Sequence, residues 1–65
     1  MDEKDLIQHI ETAISDEQED ADKYMKMAEE ADPAYAPILR DIAHEELTHK
    51  KHLEAIHTDM KKHEA

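Results

Sequence analysis

Sixty-five residues leave room for one small unit, below the size at which a core is secure without disulfides, metal or a partner chain. Cysteine is absent, which excludes disulfides, thiolate zinc sites and cysteine-ligated iron and leaves histidine and carboxylate as the ligand repertoire. Charged residues make up 40%, the net charge is −10 and the only aromatics are Tyr24 and Tyr35, a surface that repels nucleic acid and anionic membrane and concentrates cations.

No apolar run approaches a membrane span, and Met1-Asp2-Glu3-Lys4 lacks the basic-then-apolar layout of a signal peptide, so the expectation is a soluble, cytoplasmic protein. High charge with few aromatics is also the signature of disorder; the regular spacing of the apolar residues argues against it. Glycine is absent and the only prolines, Pro33 and Pro37, fall together. Breakers clustered at one place predict an all-α chain, a single unit over residues 1–65. Its helices run over about 3–31 and about 37–62, with a turn over about 32–36.

Asp2 or Asp5 can cap the first helix, and its acidic first turn suits the positive end of the helix dipole. Along it Leu6, Ile10, Ala13 and Ile14, Ala21, Tyr24, Ala28 and Ala31 recur in steps of three and four, and Glu17 interrupts the series. Asp32 precedes a proline and is biased away from helical dihedrals, which ends the helix near Ala31. Asp32 can then cap the second helix with Pro33 at its first position, or that helix starts near Ala36 after an irregular turn. Lys61 and Lys62 suit its negative end.

In the second helix Leu39, Ile42, Leu53, Ile56 and Met60 form the apolar stripe, and its two middle positions are Glu46 and His49. These two lie only about 60° apart at roughly 100° per residue, so both point where the stripe points. A carboxylate and an imidazole facing a core need a partner: a hydrogen bond, a proton or a cation. Acid-x-x-His occurs three times, but Asp41/His44 and Glu54/His57 fall off the stripe and read as solvated surface, as do His9 and His52.

A short connection makes the two helices antiparallel neighbours. Glu17 lies fourteen residues before Ala31 and Glu46 thirteen after Pro33. Both therefore sit roughly 20 Å from the turn at 1.5 Å per residue, and the acidic break in one stripe meets the acid-histidine break in the other. Asp20, about 60° from Glu17, can ligate in its place or beside it.

Two helices cannot cover each other's faces fully. Pairing two hairpins about a two-fold axis completes a four-helix bundle and brings together four glutamates and two histidines. Four negative charges match two divalent cations, and oxygen-rich ligation with one imidazole per metal suits iron, with manganese as the alternative, better than structural zinc. The competing class is a non-catalytic two-helix dimerisation module in which Glu46 and His49 specify register.

Glu17 with Tyr24 seven residues on, followed by Glu46-Leu47-Thr48-His49 on a second helix, resembles the Glu-x6-Tyr and Glu-x-x-His pair of the ferritin-like superfamily. The likeness is to half of a rubrerythrin bundle and to the short encapsulated ferritins, and it spans about Leu6 to Met60. It implies that Glu17, Glu46 and His49 are iron ligands and catalytic residues and that Tyr24 hydrogen-bonds a ligand carboxylate. Asp16 and Glu19 fall at the acidic metal-entry position of encapsulated ferritins, with Asp20 beside them. Lys23 stands where those proteins carry an aromatic.

The activity the resemblance implies is ferroxidase chemistry at two irons per dimer, oxidising Fe(II) with O2 or H2O2, or peroxide scavenging of the rubrerythrin kind. A homodimer or a higher oligomer is expected. A capsid shell is a conceivable partner, but the ending Lys61-Lys62-His63-Glu64-Ala65 shows no address peptide.

Overall fold

The computed structural model describes residues 2–63; Met1 of the N-terminal motif and Glu64-Ala65 of the C-terminal stretch lie outside the described residues. Two helices, α1 (Glu3–Glu30) and α2 (Ala36–Lys62), form a hairpin measuring 50 × 15 × 14 Å. There is no strand among the described residues, and no helix is long and apolar enough to cross a membrane.

Of the two candidate caps it is Asp2 that starts α1: its carboxylate accepts from the backbone N–H groups of Lys4 at 2.8 Å and Asp5 at 3.2 Å. Glu3 and Asp5 follow in the first turn, where negative charge is favoured. Ala31 leaves the helix in extended conformation. Asp32 then caps the turn, not α2: its carboxylate accepts from Ala34 N at 2.9 Å and its carbonyl from Tyr35 N at 2.8 Å and Ala36 N at 3.1 Å. Of the two starts left open, α2 takes the later one, at Ala36 with Pro37 inside the first turn, where the missing N–H has no helical partner to lose.

Toward the turn, the seam between the helices is built from small residues. Ile7, Ile10, Ala21 and Ala28 of α1 are buried against Ala36 and Ala43 of α2. Alanines facing alanines let the two backbones approach closely.

Two features of the apolar pattern differ from the sequence reading. Leu6, placed on the stripe, is 42% exposed, and its neighbour Ile7, at 5%, fills the seam. The reason is phase: Ile7, Ile14, Ala21 and Ala28 repeat by seven and stay on the side facing α2. In α2 the stripe is two faces, not one. The seven-spaced row Ala36, Ala43, Lys50 and His57 lies buried or half-buried in the seam with α1, while Ile42, His49 and Ile56 form a row on the open side, where Ile56 is 48% exposed.

His57, read as solvated surface, is also corrected. Its Nε2 lies 2.9 Å from Glu11 Oε2 across the hairpin, a rung that offsets a polar residue at a seam position.

Candidate metal centre

Halfway along the rod, Glu17 of α1 and Glu46 and His49 of α2 converge, one ligand atom from each lying within 4.8 Å of the other two. Helix periodicity sets this up: Glu46 and His49 sit one turn apart on α2, and the antiparallel hairpin brings Glu17 to their level. His49 Nδ1 is 3.5 Å from Glu17 Oε2. The Glu17 side chain is 23% exposed and that of His49 57%, so the triad opens on one side of the hairpin.

Glu17 Oε2 is itself buried and has no hydrogen-bond partner. A buried carboxylate oxygen with nothing to bond is costly, and native chains leave few such atoms. Glu46 holds its proton to higher pH than an ordinary glutamate: it shares a hydrogen bond with Glu17, burial opposes its charge, and the charges of Glu17 and Asp20 add to the effect. His49 alone pulls the other way. Two carboxylates that cannot comfortably ionise together, an oxygen lacking a donor and an imidazole within reach form a set of hard oxygen donors plus one nitrogen. That set fits a divalent cation such as Fe(II) or Mn(II).

A family model, Rubrerythrin, matches residues 8–65 of the chain. The chain belongs to the rubrerythrin family. No curated protein and no solved structure matches it. Rubrerythrin membership implies iron binding, and the carboxylate and histidine cluster is a group that could hold a metal ion.

The remaining site candidates divide. Asp20 is half-buried and close enough to add to the repulsion at Glu46; its Oδ1 lies 3.9 Å from Lys23 Nζ. Asp16 and Glu19 are exposed and stand apart from the triad. Tyr24 is half-buried with Lys23 Nζ 5.2 Å from its ring centre, and within the hairpin its hydroxyl makes no hydrogen bond to Glu17 or Glu46.

Sequence reasoning passed over one residue beside the centre. Lys50, half-buried in the seam, donates from Nζ to Gln18 Oε1 at 2.6 Å, and Gln18 Nε2 donates to Asp22 at 2.9 Å. The available signal was its place seven residues after Ala43, the most deeply buried residue of α2.

Proposed function

We propose that this rubrerythrin-family chain is a ferroxidase whose dinuclear iron centre lies between two hairpins, each contributing Glu17, Glu46 and His49. The observation that carries the reading is the convergence of these three groups around a buried oxygen, Glu17 Oε2, that finds no donor in the hairpin. One hairpin offers two carboxylates and one imidazole, too few to saturate a pair of irons. A second copy about a two-fold axis doubles the set to four glutamates and two histidines, two Fe per dimer.

Iron at such a centre supplies one electron per ion, and O2 or H2O2 takes two. The chain's part is positional. Glu17 and Glu46 hold negative charge at a level where two cations offset it, and His49 reaches in from the exposed side. Its three donors leave room on each metal for the oxidant, as a reactive two-metal site requires. Asp20, charged and at the lip, is placed to receive incoming cations. The net charge of −10 raises their local concentration.

Anaerobic loading with Fe(II), followed by stopped-flow mixing with O2 and separately with H2O2, tests this. The expected result is binding of one iron per chain and oxidation to Fe(III), with the faster oxidant separating ferroxidase from peroxide scavenging. Failure to bind iron, with unchanged melting in its presence, would leave a two-helix association module.

A further inference from the structure

Two polar rungs between the helices share one spacing. Gln18 lies seven residues after Glu11 on α1, and His57 lies seven after Lys50 on α2, the same step run in opposite directions. Lys50 Nζ donates to Gln18 Oε1 at 2.6 Å, and His57 Nε2 stands 2.9 Å from Glu11 Oε2. One rung therefore lies at the level of the triad, where Gln18 directly follows Glu17 and Lys50 directly follows His49. The other lies about 10 Å farther from the turn, at 1.5 Å per residue.

Stability alone does not explain why these positions are polar. Lys50 and His57 continue the seam row of Ala36 and Ala43, and both are half-buried there. Apolar side chains of similar size would pack in the same places without needing a partner, and exchanging both members of a partly buried polar pair for apolar residues is commonly neutral or stabilising. What a polar pair adds is alignment, since its groups are satisfied in one arrangement only. The metal centre depends on alignment. The ligand atoms of Glu17, Glu46 and His49 lie within 4.8 Å of one another, and a slip of one helical turn would move α2 by about 5.4 Å, enough to part them. The turn ties the helices together roughly 20 Å from the triad. Between turn and triad the buried seam is Ala21, Ala28, Ala36 and Ala43, shallow knobs that oppose rolling of α2 only weakly. The rungs begin where the alanines of the α2 row end.

We infer that Lys50, Gln18, His57 and Glu11 are positioning residues of the metal centre: the two rungs fix the level and the roll of α2 on α1, and so hold Glu46 and His49 within ligating distance of Glu17. The inference rests on the metal centre proposed above and adds what aligns its ligands. The four residues act through the helices that carry the ligands. Gln18 is held in turn by Asp22, to which its Nε2 donates at 2.9 Å, so the acceptor that Lys50 finds is itself fixed in orientation.

The test compares the full chain with an apolar-rung variant, Gln18→Met with Lys50→Met, and with Lys50→Arg, which keeps a charged donor for Gln18. Glu11→Met with His57→Leu probes the outer rung in the same way, and each rung stands or falls by its own variant. Every chain is titrated anaerobically with Fe(II) and with Co(II) at one chain concentration, the visible bands of bound Co(II) reporting its coordination. Helicity and urea melts of the metal-free chains run alongside. The apolar-rung variants should keep their metal-free helicity and melting while metal affinity falls about tenfold to a hundredfold, the range for losing groups that orient ligands, and the Co(II) bands change. Lys50→Arg should keep wild-type affinity and bands. An apolar-rung variant that binds both ions as tightly as the wild type, with unchanged bands, would overturn the inference and leave the centre standing. A fall in affinity matched by lost helicity in the metal-free chain would overturn it too, by marking the rung as structural only. A wild-type chain that binds neither ion removes the centre itself, and the inference with it.

Discussion

Lys50 and Gln18 are joined by a 2.6 Å hydrogen bond in the seam, one residue past Glu17 on α1 and four past Glu46 on α2. The bond clamps the two ligand-bearing helices at one level. Lys50 stands where the row Ala36, Ala43, His57 would otherwise accept an apolar side chain, so its ammonium needs that acceptor.

Replacing Lys50 by Ala should therefore destabilise the metal-free hairpin by about 1.5–3 kcal/mol, the range for losing a hydrogen bond to a charged group. Urea melts of the variant and of Gln18→Ala, closed by the double variant, should return a coupling of roughly 0.5–1.5 kcal/mol. Independent, additive effects would mean that the two residues do not hold the register together.

Glu17→Gln should move stability in opposite directions with and without metal. In the metal-free chain it removes a buried charge beside Glu46, so melting rises or holds. With Fe(II) under anaerobic conditions the wild-type chain should gain about 2.7 kcal/mol at a hundred times its dissociation constant, and the variant should gain almost nothing. A surface glutamate unconnected with metal would show neither effect. Equal metal-induced gains in both chains would remove Glu17 from the centre.

The pH dependence follows from Glu46. Its proton is held above the ordinary glutamate range by the hydrogen bond with Glu17, by burial and by the charges of Glu17 and Asp20. Between the ordinary value and the raised one the folded chain keeps a proton that the unfolded chain has released, so this contribution to stability falls as pH rises through that window. Metal affinity runs the other way and falls as pH drops through it, because the proton must leave before Glu46 can ligate. Thermal melts and Fe(II) titrations across mildly acidic pH should show both slopes. Glu46→Gln should flatten the first and abolish the second.

How far the chain could be read from its residues depends on what kind of signal each position carried. The hairpin was legible because Pro33 and Pro37 are the only breakers and the apolar spacing is regular on both sides. The meeting of Glu17 with Glu46 and His49 was legible because distance from the turn is counted in residues at a fixed rise. Phase was harder. Leu6 and Ile7 are both apolar and adjacent, and only packing against Ala36 and Ala43 decides which turns inward.

Division of the α2 stripe into a seam and an open face was beyond reach for a related reason. Periodicity reports an apolar arc and cannot say whether one neighbour or two will cover it. Lys50 was passed over and His57 was read as surface because polar type outweighed position; the partners that make them tolerable, Gln18 and Glu11, lie more than thirty residues away.

The proposed interface can be probed at a residue that does nothing for the single hairpin. Ile56 is 48% exposed in the isolated chain, so Ile56→Glu costs the hairpin little, within about 0.5 kcal/mol. In a four-helix bundle the same carboxylate would be buried without a partner, twice per dimer by symmetry, and each copy would cost several kcal/mol or hold a proton to escape it. Analytical ultracentrifugation should then find the dimer dissociation constant raised at least about a hundredfold, the equivalent of about 2.7 kcal/mol. Thr58→Glu, two residues on and exposed outside the open-face row, should leave it unchanged. Helicity at high concentration should persist in both variants. An Ile56→Glu chain that stays dimeric with wild-type affinity would place the contact elsewhere, and with it any centre built from two copies of Glu17, Glu46 and His49.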